Sequence, residues 1–237
     1  MHPLFKVIYY ERTVSMSIQK EFFDFFKNLA ANNHRDWFLQ NKKPYDIYVK
    51  VAFAAWVEEL ISILKVEEPE LKDLHSSECI FRINRDVRFS KDKSPYKLHA
   101  SAFLAPGGRK NLRYPGLYVE LGPEKLVVAG GAYFLEKEDL FRLRSHIMAN
   151  APAWTTALSD EIFVGIWGEA KGEANKKLPS EFAEQAKTLD ILYKKQLYYW
   201  QEYPVERALE KGLNDTVIKA HYAARHVRHL IKEALGV

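Results

Sequence analysis

The sequence predicts a single α+β domain, an antiparallel sheet from the middle of the chain packed with N- and C-terminal helices. Three observations carry this. Apolar residues recur at helical spacing before residue 65 and again after residue 135. Between about 79 and 134 the spacing shortens to period 2. Tight turns there, Pro106-Gly107-Gly108 and Gly122-Pro123-Glu124, suit an antiparallel meander rather than parallel crossovers. Helices, then strands, then helices is the element order of an α+β domain.

Residues 1–15 read as an extended leader, with Met16 as an alternative start. Ser17 is placed to cap a helix running to about Ala31, with Phe22, Phe26 and Leu29 on one face. Asn32-Asn33 ends it, and a short helix from Arg35 to Asn41 follows, anchored by Trp37 and Phe38. Pro44 can open a long helix to about Leu64. Its predicted buried stripe is Ile47, Val51, Ala54, Val57, Ile61 and Leu64. Strands are expected at Ile80–Ile83, Leu98–Ala105, Leu117–Leu121 and Leu126–Phe134. Gly130-Gly131 within the last implies a bulge or a close backbone approach. Helices resume at Glu136, with Leu140, Leu143 and Ile147 inward, and restart at Pro152. Gly165 to Pro179 is polar and poorly patterned, and Ile191 to Trp200 can form a late strand. A closing helix from Thr216 to Leu235 carries the stripe Val217, Ala220, Ala224, Val227, Ile231 and Ala234.

Composition excludes several classes. At 47% apolar and 28% charged, the chain is neither disordered nor a membrane protein. No apolar run reaches spanning length, and the N-terminus lacks the pattern of a signal peptide. The single cysteine, Cys79, forbids an intramolecular disulfide and fits a reducing, cytoplasmic location. Its apolar neighbours make it inert core rather than a nucleophile. His226 and His229 share a helix face, but no carboxylate stands at ligand spacing, so no metal site is expected.

The net charge is +4, but it is unevenly spread. From Arg82 to Gly116 there are nine basic and two acidic residues, a balance of +7, which leaves −3 for the remainder. Its centre is the run from Arg82 to Lys97, F-R-I-N-R-D-V-R-F-S-K-D-K-S-P-Y-K with Phe81 before it. Arg82, Arg85 and Arg88 can fork onto a phosphate or carboxylate, and Lys91, Lys93 and Lys97 add point charges. Asp86 sits between two arginines, where it can orient one or act as a base. Tyr96 completes the candidate anion-binding set, and Asp86 with Tyr96 or His99 is the acid–base pair the run offers. Pro95 restricts Ser94 to extended geometry, so the segment is expected to be a loop held at both ends by strands.

This run, with N-N-H-R-D-W-F upstream and P-G-L-Y-V-E-L and G-G-A-Y-F downstream, resembles the uncharacterised family catalogued as domain of unknown function 2461. The resemblance spans roughly Ile18 to Leu213 and matches its central motif from Arg82 to Lys97. It implies a stand-alone, mainly bacterial soluble protein and brings no activity, substrate or cofactor with it. The functional expectation is therefore the residues' own: binding of, or action on, a phosphate-bearing or other anionic small molecule through the basic loop. The alternatives are a nucleic-acid-binding module and a non-catalytic protein docking an acidic partner. A concave cluster favours the small molecule. An open basic face with exposed aromatics favours nucleic acid.

Overall fold

The computed structural model describes residues 18–237. The leader over 1–15, the alternative start at Met16 and the Ser17 cap lie outside the described residues. The first helix, α1 (Lys20–Ala31), buries Phe22, Phe23, Phe25, Phe26 and Leu29. After α2 (Arg35–Gln40), one continuous helix, α3, begins as α-helix at Lys42–Pro44. It passes through a π-helical stretch, Tyr45–Val51, and continues as α-helix over Ala52–Leu64.

That stretch corrects the predicted stripe. Ile47 and Val51 are 49% and 47% exposed, whereas Val49 and Phe53 are buried. Each π turn holds an extra residue, so the inward face rotates relative to a 3.6-residue period. Beyond it the period recovers, and Val57, Ile61 and Leu64 are buried as expected.

The sheet is antiparallel, four-stranded and ordered β1 (Ala100–Leu104), β2 (Leu117–Leu121), β3 (Lys125–Ala132) and β4 (Leu197–Pro204). Its last strand overlaps the expected late segment only from Leu197 to Trp200 and runs on to Pro204, while Asp190–Tyr193 forms a 3-10 turn; it pairs along the whole of β3. Ile80–Ile83, expected as a strand, makes a single bridge, Ile80 to Ala102, and Asn84 just beyond it makes another, to Tyr96. The chain leaves the edge of β1 there to fold back on itself, so no ladder can lengthen. Between β3 and β4 stand α4 (Lys137–Ala149), α5 (Ala151–Ser159) and α6 (Glu161–Trp167). Three helices close the chain: α7 (Val205–Lys211), α8 (Leu213–Ala223) and α9 (Arg225–Leu235). The predicted closing helix is thus broken at Ala224, although its whole stripe is buried.

One face of the sheet makes the core. Leu117, Val119 and Leu121 of β2, Leu126 and Val128 of β3, and Leu197 and Tyr199 of β4 join Phe22, Phe53, Val227 and Ile231 in one cluster. Strand alternation sends Phe103, Tyr118, Ala129 and Trp200 to the other face, where the register aligns them in one row. Tryptophans tie distant segments together: Trp56 Nε1 donates to Asn214 Oδ1 (2.7 Å), and Trp167 Nε1 to the Ala220 carbonyl (3.1 Å). Cys79 is fully buried and its thiol is pushed up to about 12, by burial and then by Glu78 and Glu58.

Candidate functional site

The basic run folds as an irregular hairpin. Arg85 N–H donates to the Pro95 carbonyl (2.9 Å) and Lys97 N–H to the Ile83 carbonyl (2.8 Å). Its tip is laced by its own charges. Arg88 forks onto Asp86, with Nε to Oδ1 at 2.9 Å and Nη2 to Oδ2 at 2.6 Å. Arg85 pairs with Asp92 and donates to the Ser94 carbonyl at 3.1 Å. Both carboxyls are held below their ordinary range: Asp86 by its Arg88 hydrogen bonds, and Asp92 by Ser94 and then Arg85. Lys93 Nζ donates to the Val87 carbonyl (3.0 Å). Arg82, Lys91 and Lys93 face solvent.

Tyr96 is not at the surface. It is 6% exposed and stacks on Phe38, with centroids 4.1 Å apart and planes at 21°. The Asn33 side chain clasps its backbone, donating to its carbonyl (2.9 Å) and accepting from its N–H (3.1 Å). Tyr96 therefore anchors the hairpin in the core. Nor do the eight candidate residues converge on one concavity: at the tip Arg88 pairs with Asp86 and Arg85 with Asp92, while Lys97 sits at the base. Its ammonium lies 5.4 Å over the Phe81 ring, and burial lowers its pKa.

The concavity lies beyond that base, on the non-core face of the sheet. It is a cleft of about 520 Å³ with seven aromatic side chains in its lining. Phe81 and Phe103 line one end, Tyr133 and Phe134 the other, and Tyr118, Tyr198 and Trp200 stand between. The floor is Ala129, Gly130 and Gly131. Gly131 has φ +97°, and a Cβ there would lie 2.5 Å from the Leu197 carbonyl oxygen. No side chain fits at Gly131 against the neighbouring strand, which is the close backbone approach Gly130-Gly131 implied.

Polar groups border the aromatic row. Tyr118 Oη donates to Glu120 Oε2 (2.8 Å), and His99 Nδ1 lies 3.3 Å from Glu120 Oε1. Burial raises the Tyr118 phenol, and the Glu120 charge raises it further. Burial lowers the His99 imidazole, and Glu120 only partly opposes this. So His99 partners Glu120, not Asp86. On the far strand Trp200 Nε1 donates to Glu202 Oε1 (3.2 Å), which also pairs with Lys125 at 2.7 Å. Lys171 is the lining residue with a formal charge; its exposed ammonium donates to the Trp200 carbonyl at 3.4 Å. Among the described residues, no group of three or more His, Cys, Asp or Glu is placed to hold a metal ion. No helix among them is long and apolar enough to cross a membrane.

The sequence pointed at the hairpin and passed over this cleft. Tyr118 and Glu120 fell within the expected strand Leu117–Leu121 with no role assigned, and Lys171 fell in a segment without pattern. The one signal was Gly130-Gly131 in a strand flanked by aromatics. The family model described as "Conserved hypothetical protein (DUF2461)" matches residues 21–229, and the chain belongs to that family. None of the curated proteins and none of the solved structures matches it.

Proposed function

We propose that this protein binds a small anionic molecule bearing a flat ring, seated in the aromatic cleft of the sheet with its anionic group on Lys171. The observation that carries this is the lining itself: seven aromatic side chains over a glycine-rich floor, and one charged residue, a lysine, at the rim. Aromatic walls with few placed polar groups are the ordinary form of a small-molecule site. The reading keeps the anionic ligand that the sequence suggested and moves its seat from the hairpin tip, where Arg85 and Arg88 already hold carboxylates. Lys97 at the hairpin base adds positive potential beside the Phe81 end. The buried, unreactive thiol of Cys79 suits a reducing compartment, and we place the protein in the cytoplasm.

Calorimetric titration with nucleoside monophosphates tests the site. Binding is expected in wild type, with affinity about tenfold weaker in Lys171→Met and an unchanged melting temperature. Absence of binding, or binding indifferent to Lys171, overturns it.

A second reading draws on the hairpin tip. Phe89 is 95% exposed, with the Arg88 guanidinium 5.8 Å from its ring centre and Lys91 and Lys93 nearby in solvent. An exposed ring among cations is the pattern for stacking a base of single-stranded nucleic acid. Anisotropy of a labelled oligonucleotide should then fall steeply with salt and with Phe89→Ala. A flat response removes this reading and leaves the cleft untouched.

A further inference from the structure

We infer that Tyr118 and Trp200 are the two jaws of a clamp for one electron-poor heteroaromatic ring, the ring end of the cleft ligand. The inference rests on the cleft being a ligand site and specifies what it selects.

Register comes first. Tyr118 pairs with Ala129, and Ala129 with Trp200, so the two rings rise from strands on either side of β3. Two strand spacings separate their backbones by roughly 9.6 Å. With Ala129 between them in register, the ring centroids are 6.1 Å apart and their planes within 22° of parallel. A flat ring held between two others needs them about 7 Å apart, twice the ~3.5 Å contact distance. A centroid spacing of 6.1 Å is the most by which the facing planes can be apart, so the jaws part by at least about 1 Å to admit one ring, and a slot one ring wide excludes a puckered sugar or branched aliphatic group. The floor agrees, because only a small residue at position 129 leaves room between them.

The choice of an electron-poor ring follows from what the jaws donate to. The Tyr118 hydroxyl gives its hydrogen to Glu120, and the Trp200 N–H to Glu202. A carboxylate accepting from a phenol or an indole pushes electron density back into the ring. Faces enriched in this way stack best on a ring depleted of it. Lys171 lies beside the Trp200 jaw, donating to its carbonyl, and stands ready for a phosphate or carboxylate on the same molecule.

Three phosphates separate the possibilities: nicotinamide mononucleotide, adenosine monophosphate and glucose 6-phosphate, titrated by calorimetry, with proton NMR of the ring protons. The nicotinamide ring should bind tightest and glucose 6-phosphate weakest, and bound ring protons should move upfield from shielding on both faces. Trp200→Leu and Tyr118→Leu should each weaken the two ring phosphates about tenfold or more, the size of a lost stacking partner. Their effect on glucose 6-phosphate should be small. The NMR shift is read on the wild type, so it decides even where a variant folds poorly. If glucose 6-phosphate binds as tightly as the ring phosphates and all three depend on Lys171, the clamp falls and the anionic-ligand cleft stands. If ring protons do not shift upfield on binding, the clamp also falls. If none of the three binds, clamp and cleft fall together.

Discussion

Tyr96 and Arg88 stand eight residues apart in one basic run, yet their side chains do opposite work. The Tyr96 ring lies on Phe38 in the core. Arg88 is an exposed side chain whose partner, Asp86, is two residues away. Tyr96→Ala should therefore cost about 3–5 kcal/mol in urea unfolding, the usual loss for a buried aromatic. Arg88→Ala should leave the melting temperature within error, because exposed ion pairs contribute little. A large loss for Arg88→Ala would mean that the hairpin tip is structural. Residue counting could find the charges and the contact of Asp86 with a neighbouring arginine, but not the rest of the pairing. Nothing in the sequence shows that Asp92 turns back to Arg85, or that one tyrosine among polar neighbours points inward. Cys79 was legible because every neighbouring signal agreed: apolar flanks, no base, no second cysteine.

Helix α3 shows what a periodicity argument can and cannot see at the level of elements. Its C-terminal half follows the expected stripe; its N-terminal half does not, because π geometry changes the residues per turn without a sequence signature. The two faces separate cleanly on substitution. Ile47→Asp should change stability by less than about 1 kcal/mol, as exposed sites do. Val49→Asp places a carboxylate at a site 1% exposed and should cost at least about 3 kcal/mol or prevent folding. Equal effects from the two would restore the regular helix. In β3 the sequence did mark its own irregularity. Gly131→Ala forces a side chain into a left-handed conformation with its Cβ 2.5 Å from the Leu197 oxygen. Loss of about 1–3 kcal/mol from the backbone alone is expected. Since β4 must move away, ligand binding in the cleft should weaken as well. The strand expected at Ile80–Ile83 failed for a related reason: alternation is local, but a ladder needs a partner, and the hairpin supplies only single bridges.

Across the whole molecule, helix–strand–helix order and the central meander were legible because they depend on periods summed over many residues. What joins the ends was not, because it is a buried polar cluster of residues from two distant segments. Glu68, after α3, accepts from Arg228 Nη2 of α9 at 2.8 Å and from His221 Nε2 of α8, all nearly inaccessible to solvent. Arg228 Nη1 also donates to the His221 carbonyl (2.7 Å), which at the break accepts the Ala224 N–H as well (3.2 Å). Arg228 and the Glu68 carboxylate satisfy each other, so Glu68→Gln leaves a buried guanidinium without its counter-charge. That change should cost about 3–5 kcal/mol. The cluster also sets the response to acid. Burial, and then the Arg228 charge, lowers the His221 imidazole to about 4, so it is neutral at pH 7 with Nε2–H facing Glu68. Burial alone would raise Glu68, but the His221 hydrogen bond and nearby positive charges bring it down to about 2. Both groups are thus held below their unfolded values, and the unfolded chain binds more protons in each window. Stability therefore rises with pH through both windows. The His221 contribution is complete above about pH 6.5 and is lost as pH falls toward 4; that of Glu68 is complete above about 4.5 and is lost toward 2. Scanning calorimetry from pH 7 to 4 should show a falling melting temperature in wild type. His221→Gln keeps a donor toward Glu68 but cannot titrate, so its melting temperature should start lower and fall less steeply over the same range. Parallel slopes would remove His221 as a source of the acid sensitivity and point to the half-buried His99 beside Glu120 instead.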